Sequence, residues 1–209
     1  MKEHTMSSVL GKKILMIIVL AGSLLGVVNS SEAQVVDYNK QYFMAKQLFR
    51  EGKYNLAMES FKPLIPYDQR NQFSAYASFY YALAAYHQGF LAVAKDMLTQ
   101  VKSVHPTWDK MDDVNYWLGK AHLESKDYFQ GMKTLSYIQD KKLQKDADHV
   151  KLKALSTITD AETLKRLRDA YPKDETIAKS LVTLLSKDMA NPANRAQVEA
   201  LVKEYNFKR

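Results

Sequence analysis

A period of 37 residues constrains this chain more than any other feature. Small residues recur as Ala45, Ala82 and Gly119, and again as Ala57, Ala94 and Gly131. Turn positions follow the first set at Gly52, Gly89 and Lys126. Bulky residues stand at Tyr54, Leu91 and Tyr128, at Phe61, Leu98 and Leu135, and at Leu64, Val101 and Ile138. Several residue classes held at one spacing through three copies mark a repeat architecture. Each unit reads as a helical hairpin. A small residue in the first helix admits a close partner, a left-handed turn ends that helix, and a second small residue sits where the two helices cross. One hairpin cannot bury its own apolar face, so successive hairpins stack.

Composition agrees with a helical protein and excludes several chemistries. The chain of 209 residues has only 7 Gly and 5 Pro, and 46% of it is hydrophobic. It contains no cysteine, which removes disulfides, thiolate metal sites and cysteine nucleophiles. The glycine-rich phosphate loops and the G-x-S-x-G elbow are absent from the sequence. The histidines offer no ligand spacing, since His122 and Glu124 lie two apart and would face different sides of a helix. Asp109, Asp112 and Asp113 fall where a helix starts and wants negative charge, and they lack the pattern of a calcium loop. The expectation is a non-enzyme with no catalytic residue, cofactor or metal.

Residues 1–33 have the layout of a secretory signal peptide. Lys2, Lys12 and Lys13 precede an apolar run over residues 14–28, and Ser31 and Ala33 supply small residues before Gln34. The 15-residue run is shorter than the roughly 20 residues of a spanning helix, which favours cleavage over a retained anchor. Residues 34–209 carry 27 basic and 21 acidic residues, a net +6 with the signs interspersed. An exported chain without cysteine points to a bacterial periplasm or outer-membrane association, with no nucleic-acid partner.

Leu118-Gly119, Gly52-Lys53-Tyr54 with Ala57 and Phe61, and Gly89 with Ala94 and Pro106 together resemble the tetratricopeptide repeat family. The resemblance covers residues 37–139, with a period of 37 against the family's usual length of about 34. It implies an all-α, right-handed superhelical solenoid of antiparallel helix pairs. Three clear repeats occupy residues 34–139. Residues 140–209 are expected to add about two degenerate pairs that cap the stack. Helices are expected over residues 146–158, over 161–171 after Asp160, to residue 187 after Asp174, and towards Tyr205 after Asn191-Pro192.

The family binds ligands along its first helices, which gives a candidate groove of Tyr42, Lys46, Phe49, Arg50, Tyr76, Phe79, Tyr86, His87, Tyr116 and Lys120. Aromatic anchors with lysines nearby suit a peptide or protein partner. The same rings also suit packing between repeats, and Tyr42, Phe79 and Tyr116 are open to either role. The stretches around Tyr54-Asn55-Leu56-Ala57 and Met111-Asp112-Asp113-Val114 also resemble the helical N-terminal region of some Bacteroidetes envelope proteins, where a periplasmic-binding-type domain follows. That resemblance implies a regulator of cell-wall synthesis. A glycan or small-ligand binder is the third reading.

Overall fold

The turn glycines do what the repeat requires. The structure, a computed structural model, describes residues 37–66 and 68–207, so the signal-like segment 1–33 lies outside the described residues. Three hairpins come first: α1 (Tyr38–Arg50) with α2 (Tyr54–Phe61), α3 (Ser74–His87) with α4 (Leu91–Val104), and α5 (Met111–Glu124) with α6 (Tyr128–Leu135). Each first helix closes with the same pair of bonds. Lys53 N–H reaches Leu48 O at 2.9 Å and Gly52 N–H reaches Phe49 O at 3.1 Å. The bonds recur from Phe90 to Ala85 and Gly89 to Tyr86, then from Asp127 to His122 and Lys126 to Leu123. The motif needs a left-handed residue, and Gly52 (φ +71°), Gly89 (φ +78°) and Lys126 (φ +62°) provide it.

Glycine serves a different purpose at the crossing of α5 and α6. A Cβ on Gly119 would sit 2.6 Å from Leu135 Cγ and 3.2 Å from Gly131 O, and one on Gly131 would sit 2.5 Å from a Leu123 methyl. The two helices approach as closely as backbones allow. Gly119→Val therefore overpacks the crossing, and we expect it to cost about 2–3 kcal/mol, read from the midpoint of denaturant unfolding.

Apolar clusters form between pairs as well as within them. Tyr42, Ala45, Ala57, Phe61, Leu64 and Ala77 bury together across the first and second pairs. Phe79, Leu83, Leu98, Val101, Val114 and Leu118 do so across the second and third. The second helix of each pair packs on the first helix of the next, α2 on α3 and α4 on α5. The Pro-containing connection from α2 to α3 is tied down: Asn71 Nδ2 donates to Leu64 O at 2.7 Å, and Ser74 Oγ to Ile65 O at 2.8 Å.

Four further helices follow: α7 (Lys141–Leu155), α8 (Ala161–Ala170), α9 (Glu175–Leu185) and α10 (Pro192–Glu204). Asp160, Asp174 and Asn191 cap three of them, as their sequence positions predict. Two expectations are corrected. Helix α7 begins at Lys141 rather than Asp146, because Asp140 accepts the N–H of Leu143 at 2.7 Å and caps it earlier. Nor do these helices form two simple hairpins. Helix α7 packs chiefly on α5, and α9 contacts α7, α8 and α10. The reason lies in α9, whose Ile177, Ala178, Leu181 and Leu185 are all buried and need more than one neighbour. A continuous apolar cluster runs from Leu123 to Leu201, with no break near residue 139.

Candidate partner-binding surface

Aromatic rings and lysines on the first helices of the three pairs form one continuous strip. Phe49 of α1 meets Tyr80 of α3 edge to face at 5.2 Å between centroids. Tyr86 of α3 meets Trp117 of α5 in the same way at 5.1 Å, each partner 37 residues further along. His87 joins the two couples. Its ring stacks on Tyr54 at 4.7 Å and lies 6.0 Å from Phe49 and 5.7 Å from Trp117. Lysines cover the ring faces: Lys46 Nζ lies 4.0 Å from the Tyr80 centroid, and Lys120 Nζ lies 4.8 Å from Trp117 and 5.1 Å from Tyr86. Such contacts hold each ammonium in place while leaving hydrogen-bond donors for a ligand.

The ionisable groups of the strip are tuned by burial. The Tyr86 hydroxyl donates to Glu124, and burial together with that bond pushes its pKa well above the ordinary tyrosine value. Burial, and then the charge on Lys120, lowers the pKa of His87 and favours its neutral ring. The strip thus presents lysine charge over neutral rings, with Arg50 exposed at the end of α1.

The structure brings Lys46, Phe49, Tyr86, His87 and Lys120 into the strip, and separates others. Tyr42 and Phe79 are only 6% and 7% exposed, which corrects the expectation that they line an open groove. Tyr42 stacks on Phe73 at 4.3 Å, and Phe79 and Tyr76 both pack on Trp108, between α4 and α5. Tyr116 is half-buried against the C-terminal apolar cluster, with its ring 5.6 Å from Trp117. The cause is angular. Successive helix residues point about 100° apart, so the row Tyr42, Phe79 and Tyr116 faces packing partners while the row one residue on does not share that direction. That second row is Phe43, Tyr80 and Trp117, also spaced by 37, and Phe43 is 61% exposed. Sequence reasoning missed Tyr80 and Trp117, which the 37-residue spacing of this row would have found; Tyr54 and Glu124 carry no signal beyond their place in the repeat.

One acidic residue at the start of α5 has a structural role. Asp112 Oδ2 accepts the backbone N–H groups of Gln139 and Asp140 at 3.0 and 2.8 Å, and so ties the α6–α7 loop to α5. His122 Nδ1 lies 3.1 Å from Asp127 Oδ2 beside the third turn. Among the described residues, no three His, Asp or Glu side chains gather to hold a metal, and no helix is long and apolar enough to cross a membrane. Compared with protein-family models and with curated proteins, the chain matches none.

Proposed function

We propose that this chain is a tetratricopeptide-like solenoid that acts without catalysis as a protein-interaction scaffold in the bacterial envelope. In this reading the partner, a peptide or an exposed helix, lies along the strip from Lys46 to Lys120. One observation carries the proposal most: the same turn and the same aromatic couple recur 37 residues apart, so the first helices offer a periodic surface. Rigid rings lose little entropy on binding and the lysines supply a polar rim, the composition of a surface that captures chains. The polar groups between the rings are committed to one another, as Tyr86 is to Glu124, which suits holding a ligand more than reacting with it. The signal-like segment supports export.

Affinity capture from envelope extract tests the reading. The wild-type chain is expected to retain envelope proteins that the variant Lys46→Glu with Arg50→Glu loses, with far-UV circular dichroism unchanged. Identical retention by both chains would count against the strip.

A further inference from the structure

The series of aromatic couples stops at α5, and what replaces the next one is an open cleft. Helix α7 starts 30 residues after α5 (Lys141 against Met111), so the period of 37 breaks there. Helix α7 contains no Phe, Tyr or Trp. On the α5 side, the position that holds Phe49 in the first pair and Tyr86 in the second holds Leu123. Where the earlier junctions are filled by a ring from each side, this one leaves a cleft of about 770 Å³ between α5 and α7. Ligand sites generally span roughly 300–1,000 Å³, so the space takes a large side chain with some flanking backbone.

Its lining divides by chemistry. Leu123, Val150 and Ala154 form an apolar floor, and Lys120, Lys126 and Lys153 stand around it with His149. The His149 Nδ1–H donates to Lys145 O at 2.8 Å, which fixes the ring on the exposed side of α7. One acid, Glu124, stands in the lining as well, and the three lysines outnumber it. Glu124 accepts from Tyr86, and Asp148 pairs with Lys151 at 3.1 Å. The cleft is therefore apolar inside and positive at its edge.

We infer that this cleft binds an acidic partner segment that inserts one aromatic side chain where the third couple of rings would stand. The inference rests on the scaffold reading and names the chemistry of the segment it captures. The inserted ring buries against Leu123, Val150 and Ala154, and carboxylates on either side of it meet the lysines.

The test uses fluorescence anisotropy with three labelled peptides: a phenylalanine flanked by glutamates, the same peptide with alanine for phenylalanine, and one with lysines for the glutamates. The first is expected to saturate the chain, and each of the other two to bind at least about tenfold more weakly. Ala154→Trp, which fills the cleft from within, and His149→Glu with Lys153→Glu, both on the exposed side of α7, are each expected to weaken the first peptide by a similar factor. The double variant keeps the test valid if the tryptophan disturbs folding. Undiminished binding to both variants would overturn the cleft while leaving the scaffold reading intact. Preference for the lysine peptide, or binding by none of the three, would overturn the ligand chemistry, and envelope capture by the strip would still decide the scaffold reading separately.

Discussion

Phe61→Ala is expected to lower the stability of the chain by about 3–5 kcal/mol, the usual cost of emptying a buried aromatic site. Phe61 has no exposed surface, and its ring lies 6.2 Å from Tyr42 and 5.9 Å from Tyr80. It thereby touches α1 and α3 from α2, and its loss loosens the junction of two pairs as well as one hairpin. Leu56, on the same helix, is 57% exposed, and Leu56→Ala is expected to change stability by no more than about 0.5 kcal/mol. Chemical denaturation of the two variants makes the comparison. Equal effects would mean that α2 does not bury the face described here.

The second large effect concerns a buried charge. Lys151 is 8% exposed, and its Nζ donates to Asp174 at 2.8 Å and to Asp148 at 3.1 Å. Asp174 also caps α9 by accepting the N–H of Thr176, so this lysine links α7 to the start of α9. Lys151→Ala leaves Asp174 without its cation. We expect a loss of about 3 kcal/mol, at the lower end for breaking a buried pair because Asp148 is half in solvent. Burial by itself lowers the pKa of Lys151, but the bonds to Asp174 and Asp148 outweigh it and raise the value above the ordinary 10.5. A pKa raised on folding gives stability that is complete below the unfolded value and is lost as pH climbs through the folded one. The gap between wild type and Lys151→Ala should thus be constant near neutrality and close above about pH 10.5. A gap that instead closes on acidification to pH 6 would contradict the pairing.

Much of this architecture was legible in the chain. The spacing of Ala45, Ala82 and Gly119 foretold the first helices, and Gly52 and Gly89 foretold turns that the structure builds with the same two bonds each time. Even Lys126, which breaks the glycine pattern, adopts the left-handed conformation its position demands. The direction of the neighbouring rings was not legible. Tyr42 and Phe43 are both aromatic and adjacent, and only the placement of Phe73 and the second helices decides which is buried. The break at α7 was hidden for a similar reason. Lys151 occupies a position between Ala147 and Leu155 that an apolar residue would mark, and its burial depends on Asp174, 23 residues away. Lys46, Phe49, Tyr86, His87 and Lys120 fall on the strip because repeat position and helix face coincide there.

Site-specific photocrosslinking tests the partner surface most directly. A photoreactive residue replaces Arg50 on the first helix of one chain, and Leu56 or Val93, both exposed on second helices, in two others. Each chain is irradiated in envelope extract. The account predicts a discrete crosslinked adduct from position 50 and none from positions 56 and 93. Adducts that form from 56 and 93 while position 50 stays silent would place the partner on the opposite helices and contradict it.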